Sequence, residues 1–223
     1  MVEVATGRRE PGESIGAGTL TTLDPSALEA AALATDPFEF LFAKNAIRSG
    51  LQTALMADAP QISSSGSIPP AKLNYGPHFQ MLIDDLQSTD FRRIVERKFD
   101  LDLSGFASTI SVRGRLSRNA DGYIHTDLKE KVITVLLYLN PGWCETAGNL
   151  RVLRSRDLHD YQLEIPAAFG NMLIFRRSDH SWHGHLPYHG PRLSLQLNWV
   201  KSLRRPRQYW RHHFNFLKRY LFV

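Results

Sequence analysis

Two textures of hydrophobic spacing follow one another along the chain. Up to about residue 109, apolar residues recur near helical intervals. Asp24 or Ser26 is placed to cap a helix through the Ala/Leu-rich residues 27–33. Asp36-Pro37 reads as a second helix start, with Asp at the cap and Pro at the first helical position. Phe38, Leu41, Phe42, Ile47, Leu51 and Leu55 then follow near helical spacing over residues 38–56. Residues 59–70 (APQISSSGSIPP) read as a loop from their Pro, Ser and Gly content. Gly76-Pro77 opens a helix over 78–86, and residues 90–99 continue in that style.

From about Ile110 the spacing changes. Residues 132–139 (VITVLLYL) are β-branched and apolar, with charged residues before them and Asn140-Pro141-Gly142 after. Residues 149–153, 162–165, 171–175 and 193–200 are further short strand candidates. Gly170-Asn171 and Gly190-Pro191 read as turns between them. Helices first and many short strands afterwards predict an α+β protein whose functional half is an antiparallel sandwich or barrel. The chain divides into a flexible tail (1–18), a mainly helical support region (19–109), a strand-rich core (110–200) and a basic, aromatic C-terminal helix (201–223), all within one domain.

Composition narrows the class. At 223 residues, a chain buries roughly 70% of its unfolded surface, enough for a core without staples. A single cysteine, Cys144, precludes an intrachain disulfide and favours a reducing compartment. No apolar run reaches the roughly 18 residues of a membrane span, and the polar N-terminus lacks the apolar stretch of a secretory signal. The expected location is cytoplasmic. The formal net charge of +5 is concentrated at Lys201, Arg204, Arg205, Arg207, Arg211, Lys218 and Arg219. A solvated or packed helix is the first reading of that segment, with peripheral membrane contact as a weaker one. No nucleic-acid recognition motif accompanies it, so no nucleic-acid partner is expected.

The chemistry begins at His125-Thr126-Asp127. In a strand, residues i and i+2 share a face, so an imidazole and a carboxylate would project together toward a divalent metal. A third ligand must come from elsewhere. The segment SDHSWHGHLPYHGP offers His180, His183, His185 and His189. One neutral imidazole from it would complete a 2-His-1-carboxylate set, the donor pattern of non-haem Fe(II) oxygenases with open positions on the metal. Arg192 opens the strand of residues 193–200, with Ser194 two residues on. Its planar guanidinium matches a carboxylate bidentately, and inside a barrel it would need an anion. Tyr138 could donate to the same anion.

The run His125-Thr-Asp127, VITVLLYLN, GNLRVL and FGNMLIFRRSDHSWHGHLPYHGPRLSLQLNW resembles the prolyl 4-hydroxylase-like branch of the Fe(II)/2-oxoglutarate-dependent dioxygenases, over about residues 113–200. The motifs stand in that family's order and at its spacings. The resemblance implies a double-stranded β-helix, or jelly roll, with supporting N-terminal helices. It implies His125, Asp127 and His183 as metal ligands, not His180, His185 or His189. It implies 2-oxoglutarate bound by Arg192 and Tyr138, with Fe(II) and dioxygen as the other cofactors; Ser194, on the same strand face, could add a donor, and ascorbate could act as a supporting reductant. The family's usual Gly-Gly is Gly148-Asn149 here. An intact Asp127 disfavours halogenation, whose enzymes lack that carboxylate.

The expected activity is oxidative decarboxylation of 2-oxoglutarate coupled to hydroxylation of a substrate, a small molecule or glycan rather than a protein. Prolyl or other protein hydroxylation is the alternative within the class. Arg113, Arg115, Trp143, Arg177 and His185 flank the ligand segments and are the candidate substrate contacts. Trp182 is expected to pack behind its neighbouring ligand, and Asp179 to orient a histidine or end a turn. Two other classes compete: a non-catalytic cupin-like binding module, which has no need of all four motif residues, and a zinc hydrolase, which leaves Arg192 unexplained.

Overall fold

The structure, a computed structural model, describes residues 20–116 and 122–201. The expected tail and, beyond Lys201, the basic C-terminal segment lie outside the described residues.

Among the described residues, nine strands form two sheets. The larger has the order β1-β2-β7-β4-β9-β3, built from β1 (Leu33–Ala34), β2 (Phe40–Ala43), β3 (Ala107–Leu116), β4 (Lys131–Tyr138), β7 (Met172–Arg176) and β9 (Gly190–Val200). The smaller has the order β6-β5-β8, from β5 (Leu150–Leu153), β6 (Tyr161–Ile165) and β8 (His183–Gly184). Every pairing is antiparallel. This is the jelly-roll architecture expected from the sequence.

Period-two alternation gives the large sheet two unlike faces. Leu195, Leu197 and Trp199 of β9 join Ile133, Val135 and Leu137 of β4 on the outer face. There they meet the apolar sides of α2 (Gln52–Asp58), α3 (Pro77–Gln87) and α4 (Thr89–Phe99), with Phe91 stacked on Trp199 at 6.2 Å. On the inner face, Phe40, Phe175 and Leu173 form an apolar patch with Leu150, Val152 and Ile165 of the small sheet. Toward β9 and β3 the same face turns polar. Register places Thr134 opposite Asn198, and Tyr138 opposite Ser194, which in turn lies opposite Arg113. The chemistry therefore sits at the polar end of an otherwise apolar interior.

Helix ends follow local rules. Asp24 accepts hydrogen bonds from the N–H groups of Ser26 and Ala27 and caps α1 (Pro25–Ala30). Pro77 takes the first position of α3, where no N–H is needed. Ser88 accepts from Phe91 N at 3.1 Å and starts α4.

One expectation fails. Residues 38–56 are not a helix: Asp36-Pro37 is a cis peptide, residues 40–43 form β2, and helix resumes only at Gln52. The support region is thus not purely helical, and it lends β1 and β2 to the large sheet. Phe40 and Phe42 face the interior while Leu41 and Ala43 face the helices, so a strand with both faces covered reads as an unbroken apolar run. Gly190-Pro191 is likewise not a separating turn but the start of β9.

The Ser-rich loop covers the free edge of β3. Ile68 and Val112 exchange backbone hydrogen bonds of 2.9 and 2.8 Å. Ile62 lies directly over Gly114, where a Cβ would sit 2.3 Å from its Cβ. The strap satisfies edge groups that would otherwise template pairing with another chain.

The start of the described chain is held by one buried carboxylate. Asp85 of α3 accepts from Thr21 N, Thr22 N, Thr22 Oγ1 and Leu23 N at 2.9, 2.6, 2.7 and 3.0 Å. Replacing it by Ala leaves several buried donors without a partner. Asp85→Ala is expected to lower the unfolding free energy by about 3 kcal/mol in urea titrations, and Asp85→Asn by less, because its amide oxygen still accepts. A loss below about 0.5 kcal/mol for Asp85→Ala would contradict this role.

Candidate active site

His125 and His183 are brought together by backbone. His125 N donates to His183 O at 3.1 Å and His183 N to His125 O at 3.0 Å. Such a hydrogen-bonded antiparallel pair puts both side chains on one side, and the two imidazole centroids lie 4.3 Å apart. His183 is also paired through β8 to Val152 of β5, so the small sheet supports it from behind. The expectation of a full strand at His125–Asp127 is not met: His125 makes a single isolated bridge, and Asp127 follows in irregular backbone. The bridge alone suffices to align the pair.

Ring orientation is set in the same way on both histidines. His125 Nδ1 lies 2.9 Å from Tyr123 O, and His183 Nδ1 lies 2.9 Å from Ser181 O. A carbonyl only accepts, so in the neutral ring Nδ1 carries the proton and Nε2 keeps its lone pair. Asp127 Oδ1 stands 4.0 Å from His125 Nε2. One ligand atom from each of His125, Asp127 and His183 lies within 4.8 Å of the others. It is the one such group among the described residues.

Asp127 is buried and held at both oxygens. Lys131 Nζ donates to Oδ1 at 2.6 Å, and the Thr134 hydroxyl donates to Oδ2 at 2.6 Å. Thr134 has one proton and also faces Asn198 Oδ1 at 3.1 Å; the nearer, charged carboxylate takes it. Arg177 Nε donates to the backbone carbonyl of Asp127 at 3.0 Å, fixing the main chain below the side chain.

The electrostatics favour free lone pairs. Burial, and then the neighbouring His183, push His125 down to about 3. Burial pushes His183 down too, against the opposing pull of Asp127. Burial acts to raise Asp127, but the charge of Lys131, ahead of the two imidazoles, holds it below the usual carboxylate range. Two neutral imidazoles and one carboxylate thus converge, the protonation state that metal binding requires.

Arg192 is buried on the inner face of β9. Its Nε donates to Gly148 O at 2.8 Å, its Nη2 to Tyr138 Oη at 3.3 Å, and its Cζ lies 4.8 Å from the Tyr138 ring centroid. Among the described residues no carboxylate pairs with it. Burial raises the Tyr138 phenol, opposed by Arg192, so Tyr138 stays a neutral donor. Ser194 is buried between Tyr138 and Arg113 in register. Gly148 adopts φ +81°, and a Cβ there would come within 3.1 Å of Tyr188. The adjacent Asn149 accepts from Trp143 Nε1 at 2.8 Å.

The candidate substrate contacts are spread. Arg113 donates to Ser67 Oγ of the strap at 3.2 Å and shares the inner face with Ser194. Trp143 stands edge-on to Tyr188 at 5.1 Å, beside the Gly148 loop. Arg177 is engaged with the Asp127 carbonyl and with Asp179 at 2.8 Å. His185 is buried with Nδ1 2.8 Å from Leu186 O and its ring pressed against Gly122. Arg115 lies in β3 opposite Pro191, and nothing further of it is described. His180 and Asp179 are exposed, and Trp182 carries Arg156 over its ring at 4.9 Å. Lys131, Thr134, Asn198 and the Gly148 carbonyl were not singled out in the sequence. The one signal was a lysine at the entry of an apolar strand.

Comparison with known proteins bears on the fold and on the strand-rich core. Residues 110–200 match the model of the 2OG-Fe(II) oxygenase superfamily. No curated protein sequence matches the chain. Among solved structures, a prolyl-4-hydroxylase from Pseudomonas putida is similar, with TM-score 0.55, 16% identity, and coverage of 85% of this chain and 99% of that one. A prolyl 4-hydroxylase from Phytophthora capsici gives TM-score 0.54, 18% identity, and coverage of 94% and 78%. HygX from Streptomyces hygroscopicus, solved with nickel and 2-oxoglutarate bound, gives TM-score 0.50, 14% identity, and coverage of 81% and 88%. At these identities the structural likeness is one of fold. Residues 110–200 thus carry a match to the 2OG-Fe(II) oxygenase superfamily, on a fold similar to that of two prolyl 4-hydroxylases.

Proposed function

We propose that this oxygenase binds Fe(II) through Nε2 of His125 and His183 and one oxygen of Asp127, and uses it with 2-oxoglutarate to hydroxylate a substrate. The observation that carries the assignment is the convergence of those three ligand atoms within 4.8 Å, with both Nδ1 atoms turned away onto carbonyls. The donor set fits a borderline divalent metal and leaves about three positions open on an octahedral ion. When bound, the iron supplies the dioxygen chemistry that couples decarboxylation of 2-oxoglutarate to substrate hydroxylation.

The chain's own residues do the rest. Arg192 receives the far carboxylate of 2-oxoglutarate. Its buried charge lacks a carboxylate partner among the described residues, and a bidentate anion offsets that cost. Tyr138 and Ser194 add donors from the same face. Lys131 and Thr134 hold Asp127, and Arg177 holds its backbone. Trp143 and Arg113 border the inner face and are the best placed of the substrate candidates.

The substrate is read as a small molecule or glycan. A prolyl-containing peptide is the competing reading, favoured by the prolyl hydroxylases that share the architecture. Succinate release stimulated by one compound class and not the other decides between them.

Protein supplied with Fe(II), ascorbate and 2-oxoglutarate is expected to form succinate even without substrate. His183→Ala and Asp127→Ala should lose at least about 100-fold of it. Unchanged rates in both variants would refute the ligand set. Arg192→Ala should raise the 2-oxoglutarate concentration for half-maximal rate by about 10-fold or more. N-oxalylglycine should inhibit, which a zinc hydrolase would not show.

A pH effect follows for the metal-free protein. Above the ordinary imidazole value of 6.5, His125 is neutral whether the chain is folded or unfolded. Below it the unfolded chain takes up a proton that the folded site refuses until about pH 3. Stability is therefore complete above 6.5 and falls as pH drops toward 3. Urea unfolding at about pH 5 should show His125 alone removing about 1 to 2 kcal/mol relative to about pH 7. His125→Gln should flatten that part of the profile, and an unchanged profile would contradict the neutral-imidazole site.

A further inference from the structure

One strongly buried group beside the proposed ligands carries a charge that holding Asp127 does not account for. Lys131 is the first residue of β4, and its side chain is 1% exposed. Its single ion pair among the described residues is with Asp127, through the oxygen that faces the imidazoles. A hydrophobic side chain of that length would fill the same space at the head of the strand. An ammonium there is costly unless its charge is used. Thr134, a neutral donor on the other oxygen, already suffices to orient the carboxylate.

We propose that Lys131 is a positioning residue that sets the charge of the metal centre: it shares the carboxylate of Asp127 with the ion. This rests on the metal assignment above. Two consequences follow, of opposite sign. A cation one hydrogen bond from the ligand oxygen competes with a divalent ion for the same negative charge, so it weakens metal binding. The same cation leaves the bound ion less neutralised and adds its own field, so it strengthens the hold on a dianion entering beside the ion. Lys131 thereby trades metal affinity for 2-oxoglutarate affinity. The ammonium also keeps the metal-free site compact, because Asp127 is never left as an unpaired buried charge.

The test uses Ni(II), which needs no turnover, on the full chain. Calorimetry measures the Kd of Ni(II), and then the Kd of 2-oxoglutarate for the Ni(II)-loaded protein. Lys131→Met removes the charge at nearly constant volume. Lys131→Gln removes it but keeps a donor, and carries the same expectation should the Met variant not fold. Either variant is expected to bind Ni(II) roughly tenfold or more tightly and 2-oxoglutarate roughly tenfold or more weakly. Thr134→Val, which removes only a neutral hydrogen bond, should weaken Ni(II) binding and leave no such crossed pattern. Unchanged constants in the Lys131 variants, or a weakening of both, would overturn the proposal, since a merely structural lysine moves both the same way. Wild-type protein that binds no Ni(II) would overturn the metal assignment itself, and this inference with it.

Discussion

The site depends on two backbone hydrogen bonds, those exchanged by His125 and His183. They join an irregular loop to the shortest strand of the small sheet, and so fix two imidazoles from distant parts of the sequence side by side. The rest of the centre is arranged around that pair. The Tyr123 and Ser181 carbonyls select the tautomer of each ring. Asp127, two residues beyond His125, comes into range only because Arg177 pins its carbonyl and Lys131 and Thr134 pin its carboxylate. Those three partners come from β4 and from the chain just after β7, neighbours in the large sheet. The candidate metal centre is therefore a seam between the two sheets.

The jelly roll makes the seam possible by dividing its interior. The apolar part of the inner face, around Phe40, Phe175 and Val152, holds the two sheets together. The polar part carries charge, and each charge has its own way of being tolerated. Asp127 is matched by Lys131. Arg192 is met by a carbonyl and a phenol, with no carboxylate against it among the described residues. Outside, the helices cover the opposite face, and Leu193, Leu195, Leu197 and Trp199 of β9 pack in the same cluster. One strand thus serves both purposes, with odd positions toward the helices and even positions toward the chemistry.

That alternation explains what could be read in advance. β4 and β9 were visible as apolar or alternating runs, and their register follows from the pattern. The polar positions of β9 look like a solvent face in the sequence, yet Arg192, Ser194 and Asn198 are buried. Only family resemblance distinguished the two possibilities. It also singled out His183 among four nearby histidines, where local sequence offers no discrimination; in the structure His183 alone bridges to His125. The strand at 40–43 was missed because burial on both faces erases alternation. Lys131 was missed because it closes the charged run LKEK, which resembles a solvated turn. Its burial at the head of β4, against Asp127, is not something that charge counting reveals.

The most direct test of the central claim is a crystal structure of the protein grown with Ni(II) and 2-oxoglutarate under anaerobic conditions. The account expects one ion bonded to Nε2 of His125, Nε2 of His183 and one oxygen of Asp127, with the far carboxylate of 2-oxoglutarate on Arg192 and Tyr138. An ion bound elsewhere, or an Arg192 still held only by Gly148 and Tyr138 with no carboxylate against it, would contradict the account.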